Sequence, residues 1–279
     1  MIADSVLILG GTGLVFAIFI AVANRKLKVW EDPRIDVVAG LLPQANCGAC
    51  GLPGCRAFAE KAVKGEVQPA KCTVSEPARV KEIAAYLGVD EGVGVKRVAR
   101  LLCAGGADVA LQRATYRGLK TCASAATVAG GGKGCAWGCL GLADCAVACT
   151  FGAIRMSPTS LPVVDPSKCT ACGDCVVACP KNLFELQPAA HSLLVQCRNL
   201  IAGDEALASC EVACTACGKC VLDGAPGLIS VKTGVAVIDP ARMAEAEERA
   251  VARCPTGAIV WLKGAQFARP AARRMSEPA

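Results

Sequence analysis

The chain has 279 residues, 53% of them hydrophobic, and a formal net charge of +6, which is enough apolar material for more than one compact domain. Twenty cysteines dominate the composition, whereas aromatics make up 4% and His191 is the one histidine. That balance excludes haem or Rieske ligation and a histidine-based catalytic site, and it leaves His191 as an ordinary surface or packing residue.

Residues 5–23, SVLILGGTGLVFAIFIAVA, form a run of nineteen uncharged residues, close to the roughly 20 that cross a bilayer as a helix. A signal peptide would carry its positive charge before the apolar run. Here Asp4 precedes it, and Arg25, Lys26 and Lys28 follow, so the segment reads as an uncleaved anchor in contact with lipid. The positive-inside rule then places the N-terminus outside and the rest of a single-pass protein on the cytoplasmic side of the cytoplasmic membrane. Cysteines stay reduced in that compartment, so these read as metal ligands rather than a disulfide framework.

The first cysteine group is NCGACGLPGC followed by a lone distant cysteine, giving Cys47, Cys50, Cys55 and Cys72. Glycines between them let the backbone wrap closely and aim N–H groups at sulfur, as a 4Fe-4S cluster requires. A zinc site with four thiolate ligands more often uses two separated CxxC pairs.

The second group pairs CAWGCLGLADCAVAC (Cys135, Cys139, Cys145, Cys149) with CTACGDCVVACP (Cys169, Cys172, Cys175, Cys179). The latter is the C-x2-C-x2-C-x3-C-P run of bacterial two-cluster ferredoxins, in which the fourth cysteine of each run serves the other cluster. That rule predicts one cluster on Cys135, Cys139, Cys145 and Cys179, and a partner on Cys149, Cys169, Cys172 and Cys175. The first run has looser spacing than the second.

A third group, ACTACGKC, supplies Cys214, Cys217 and Cys220, with Cys254 before Pro255 as its distant fourth ligand. An internal repeat supports this, because Val164-Asp-Pro-Ser-Lys-Cys169 is echoed by Ile238-Asp-Pro-Ala-Arg-Met243. Gly224 and Met243 therefore stand where ligands of an alternate cluster would be, and this unit should hold one cluster. Cys103, Cys122, Cys197 and Cys210 remain. They either close a fifth cluster from distant parts of the chain or are buried reduced thiols, and spacing does not choose between the two. The AGGGKGC loop, with Gly130, Gly131, Gly132 and Gly134, lacks the Walker pattern and reads as a loop cradling a cluster.

The fold class expected is α+β, with one N-terminal transmembrane helix, a small helical 4Fe-4S domain and then bacterial-ferredoxin-like units. The divisions are a transmembrane anchor over 1–28, a 4Fe-4S domain over 29–88 and a connecting segment over 89–134. A two-cluster ferredoxin-like unit then covers 135–190, a degenerate one 191–262, and a basic disordered tail with Arg269, Arg273 and Arg274 runs over 263–279. Helices are expected after Cys55 and after Ser75, with Ser75 as N-cap, and strands at AIRMS and LPVVD. Without aromatic or helical recognition patterns, the basic tail gives no reason to expect nucleic acid as a partner.

The N-terminal span, CGACGLPGC with Cys72, LLCAGG at Cys103, GLKTCASA at Cys122, GGGKGCAWGCLGLADC and CTACGDCVVACP occur here in one order. In these strings the chain resembles the cluster-rich B subunit of the Rnf electron transport complex, the ion-translocating ferredoxin:NAD oxidoreductase, in its longer form. The resemblance implies a subunit that accepts electrons from soluble ferredoxin and passes them to other membrane and peripheral subunits of such a complex, which reduces NAD. The cysteine groups themselves give four 4Fe-4S clusters and allow a fifth, and no residue of the chain reads as a catalytic acid or base. Two other readings are the same relay reducing a redox-sensing regulator, and a non-redox membrane protein that binds zinc.

Overall fold

The computed structural model describes residues 2–27 and 31–267; Lys28 and the tail from residue 268, with Arg269, Arg273 and Arg274, lie outside the described residues. Helix α1 (Ile2–Leu27) holds 26 residues, about 39 Å at 1.5 Å per residue. Within Val6–Leu27 an 18-residue window has a mean hydropathy of 2.6 and none of it is buried by the rest of the chain, which makes the helix a candidate membrane span. Thr12 donates its hydroxyl to the carbonyls of Ile8 and Leu9, so this polar group carries its own partner into an apolar environment. Arg25 and Lys26 occupy the last turn, where cations complement the helix dipole.

A small helical domain follows, with α2 (Arg34–Leu41), α3 (Cys55–Val63) and α4 (Pro77–Leu87). Val38, Phe58, Ala59 and Ile83 close its core, all at 1% exposure or less. The helices expected after Cys55 and Ser75 are present as α3 and α4. Ser75 is not the cap of α4, because Glu76 holds that position with Pro77 at N1, and the Ser75 hydroxyl donates to Cys72 Sγ at 3.2 Å instead. Proline at N1 needs no capped N–H, which frees the serine for the sulfur.

Beyond this domain the chain makes one topology twice. The first copy runs β1 (Arg97–Leu101), α5 (Cys122–Thr127), α6 (Asp144–Val147), β2 (Ile154–Met156), β3 (Pro162–Val164), α7 (Asp174–Ala178) and β4 (Phe184–Pro188). The second runs β5 (Leu193–Val195), α8 (Gly203–Ser209), α9 (Lys219–Asp223), β6 (Ile229–Lys232), β7 (Val235–Ile238) and β8 (Ile259–Trp261). In each copy the middle strands form an antiparallel hairpin, β2 with β3 and β6 with β7, while the outer strands pair antiparallel, β1 with β4 and β5 with β8. The strands expected at AIRMS and LPVVD are β2 and β3.

Two boundaries read from sequence change. The stretch 89–134 is not merely a connection, because β1 pairs Leu101 with Phe184 and Arg97 with Pro188, so the first ferredoxin-like unit begins near residue 97 rather than 135. Val98 to Leu101 are all buried, which removes the alternation that marks a half-exposed strand, and the buried Arg100 interrupts the apolar run. The tail does not begin at 263 either. Gln266 is 2% exposed; its amide accepts from Leu101 N–H at 3.0 Å and donates to Leu101 O at 2.8 Å and Gln196 Oε1 at 2.6 Å. One glutamine thereby satisfies backbone groups of the first unit and ties them to the second, a long-range role that local composition does not reveal.

Candidate cluster sites

Three cysteine sets ring cavities of about 320–390 Å³: Cys47, Cys50, Cys55 and Cys72; Cys149, Cys169, Cys172 and Cys175; and Cys214, Cys217, Cys220 and Cys254. The last two sets share a backbone device. In Cys169-Thr-Ala-Cys-Gly-Asp-Cys175 the residues Ala171 and Gly173 have φ of 59° and 95°, and in Cys214-Thr-Ala-Cys-Gly-Lys-Cys220 the residues Ala216 and Gly218 have φ of 56° and 72°. Each left-handed residue precedes a cysteine by one or two positions and turns the chain about the cavity. The cost of such φ values in alanine is accepted only where the surroundings over-determine the conformation.

The same device appears in Cys139-Leu-Gly-Leu-Ala-Asp-Cys145, where Gly141 and Ala143 have φ of 73° and 71°. Aligned on these residues, Cys139 and Cys145 match Cys169 and Cys175, and Leu142 stands at the position of Cys172. The x5 gap therefore follows the C-x2-C-x2-C pattern with Leu142 at the place of the middle cysteine. Cys135 lines a different cavity, of about 330 Å³, with Cys103, Cys197 and Cys210.

Cys122 opens α5 beside the incomplete loop. The Asp144 carboxylate, next to Cys145, accepts the N–H groups of Cys122 and Ala123, each at 2.9 Å. Burial, then the neighbouring thiols Cys139, Cys122 and Cys179, push the Cys145 thiol up to about 12. Asp144→Ala should release the α5 N-terminus at a cost of about 1–2 kcal/mol, typical of a lost helix cap. Hydrogen exchange of residues 123–127 in the full chain should rise roughly tenfold, and unchanged exchange would contradict the clamp.

The glycine loop packs its backbone against residues 111–114 and leads into Cys135. Gly132 has φ +77°, and a Cβ there would lie 2.1 Å from Ala114 O; its carbonyl accepts from Arg113 and Ala114 N–H. The loop folds against residues 111–114, which no side chain at 132 would permit.

Several N–H groups aim at sulfur: Leu183 at Cys179, Ala99 at Cys169, and both Asn199 and Cys214 at Cys197, all at 3.3–3.5 Å. Burial is the leading cause that pushes Cys139 and Cys175 up to about 12 and Cys197 and Cys220 up to about 11. Cys254 lies below the ordinary thiol range: burial raises it, and hydrogen bonds from Ile259, Thr256 and Ala258 outweigh that. Thiols held this high stay protonated by themselves, and a cationic metal at the centre of the ring would supply the charge that stabilises their thiolates. The buried Arg100 fits the same demand, since burial lowers its pKa while Cys169 raises it, and thiolate-bound iron places negative charge nearby.

The donors suit a cluster better than one ion. Tetrahedral zinc at 2.3 Å from each sulfur needs thiolates about 3.8 Å apart. Among the described residues no group of three or more His, Cys, Asp or Glu converges in that way; the cysteines instead stand around open cavities. At the degenerate site, Met243 and Ala246 pack against the apolar core of the second unit, and two 3-10 turns, Pro240–Glu245 and Glu248–Val251, replace the cysteine loop. His191 lies outside the cysteine cavities, in a groove with Arg97 and Met243.

This repeated fold with its cysteine rings defines a ferredoxin-type 4Fe-4S protein. An Fe-S cluster family model matches residues 42–74 and a 4Fe-4S binding domain model matches 161–184, and with twenty cysteines the chain carries multiple 4Fe-4S clusters. It is 42% identical to the B subunit of the Na(+)-translocating ferredoxin:NAD(+) oxidoreductase complex of Acetobacterium woodii, over 90% of this chain and 75% of that one. Identity is 36% to the B subunit of the ion-translocating oxidoreductase complex of Methanosarcina acetivorans, covering 93% and 98% of the two chains. It is 35% to the B subunit of the proton-translocating ferredoxin:NAD(+) oxidoreductase complex of Clostridium ljungdahlii, over 88% of each. The chain belongs to the family of B subunits of ion-translocating ferredoxin:NAD oxidoreductase complexes.

Proposed function

We propose that this chain is the membrane-anchored electron relay of such a complex, taking electrons from reduced soluble ferredoxin and passing them to partner subunits that reduce NAD. The observation that carries this reading is the ringing of separate cavities by cysteines, one in the helical domain and others in the two ferredoxin-like units. Cys47, Cys50, Cys55 and Cys72 would hold one cluster, Cys149, Cys169, Cys172 and Cys175 a second, and Cys214, Cys217, Cys220 and Cys254 a third. Cys139, Cys145 and Cys179 contribute to a fourth. Bound clusters supply one-electron transfer at low potential. The chain itself supplies thiolates, N–H groups that tune the sulfurs, and apolar walls that exclude water.

Residues 5–24 carry no ionisable side chain, so an ion pathway would belong to the partners. Arg25 and Lys26 favour the cytoplasmic side for everything after the helix. Mixing the anaerobic full chain with reduced ferredoxin should bleach its visible absorbance, and zinc without iron and sulfide would overturn the relay. Removing residues 1–27 should release a soluble protein that retains its iron; a product that stays with the membrane would mean that other surfaces also anchor it.

A further inference from the structure

Cys103, Cys135, Cys197 and Cys210 come from four separate places in the sequence and meet at one cavity between the ferredoxin-like units. Long-range backbone pairing brings them there. Cys103 follows β1 by two residues and Cys197 follows β5 by two, so they hold matching positions in the two copies, and Ala104 N–H donates to Gln196 O at 3.0 Å across the junction. The segment 109–112 then gathers the other two. It bridges to Cys210 through Ala110, with Leu111 N–H donating to Ser209 O and Glu211 N–H to Val109 O. On its other side Gln112 bridges to Lys133, and Gly134 N–H donates to Leu111 O at 2.7 Å, next to Cys135. Lys133 Nζ fastens the arrangement by donating to Gly105 O and to Cys139 O at 2.7 Å.

Two further observations point to an occupant with acceptor atoms. Cys197 Sγ receives N–H groups from Asn199 at 3.4 Å and Cys214 at 3.3 Å, as a metal-bound thiolate would. Asn199 lines the cavity at 2% exposure, and its Nδ2 has no partner. A buried amide donor left alone costs about 1–3 kcal/mol, and bound sulfide would offer it an acceptor.

We propose that Cys103, Cys135, Cys197 and Cys210 hold a fifth 4Fe-4S cluster, two ligands from each unit, and that Cys122 takes the vacant middle position beside Cys139, Cys145 and Cys179. The fifth cluster lies between its neighbours. Cys139 N–H donates to Cys103 Sγ at 3.4 Å and Cys214 N–H to Cys197 Sγ at 3.3 Å, so a ligand peptide of each unit's cluster touches a ligand of the junction cluster. Electrons pass between the two units at this point. The inference rests on the reading of the chain as a 4Fe-4S relay, and deepens it.

Paired substitutions test the grouping in the anaerobically purified full chain, read by iron and acid-labile sulfide per chain and by spin counting after dithionite reduction. With five cubanes the wild type should hold about 20 iron atoms, each cluster contributing about four. Cys103→Ala with Cys135→Ala, and Cys122→Ala with Cys139→Ala, each remove two ligands of one cluster and should leave about 16 iron atoms. Cys103→Ala with Cys122→Ala, and Cys135→Ala with Cys139→Ala, strike two clusters and should leave about 12. Either comparison suffices if a variant of the other fails to fold. The reverse pattern would overturn the exchange of Cys122 and Cys135, and wild-type iron near 16 with no loss in Cys103→Ala would overturn the fifth cluster. A wild-type chain without iron and sulfide would instead overturn the relay reading itself.

Discussion

Replacing Cys175 with alanine is expected to remove about four iron atoms, one cubane, and to bring ferredoxin-dependent NAD reduction by the assembled complex to background. Cys175 is 6% exposed and sits in one apolar cluster with Ile154, Leu161, Val164, Leu183 and Phe184. The loop over 169–175 lines one cavity with its three thiols and Cys149. Iron in the helical domain and in the second ferredoxin-like unit should be retained. An unchanged rate of NAD reduction with the cluster gone would put that cluster off the electron path.

Phe58→Ala is expected to destabilise the helical domain by about 3–5 kcal/mol, the usual cost of emptying an aromatic site in a core. Phe58 is 1% exposed, packs with Val38 and Ile83, and lines the cavity ringed by Cys47, Cys50, Cys55 and Cys72. A domain of this size has only a few kcal/mol to spare. The variant should therefore lose that one cluster, with proteolysis confined to residues 31–94, while the ferredoxin-like units keep theirs. Full iron content and unaltered protease resistance would show that the cluster, rather than the apolar core, holds the domain together.

Much of this was legible from residues alone because the signals are local. Nineteen uncharged residues followed by Arg25 and Lys26 satisfy the length and charge requirements of a span without reference to anything else. The runs Cys169–Cys175 and Cys214–Cys220 put three thiols on one short loop, whose geometry is determined within seven residues. Even the vacancy at Leu142 stood in the sequence, and reading CLGLADC as C-x2-L-x2-C would have revealed it.

The sequence by itself thus determined the apolar N-terminal helix and the ferredoxin-type loops. Tertiary structure decided which distant thiols stand together at one cavity. Cys135 stands four residues from Cys139, yet it is drawn away because residues 109–112 pair with 209–211 on one side and with 133–134 on the other. Cys122 is brought in by the Asp144 carboxylate. Gln266 is buried by its bonds to Leu101. Each of these contacts joins segments more than twenty residues apart, and a spacing rule carries no information at that range, since loop closure tolerates many lengths at nearly the same entropy.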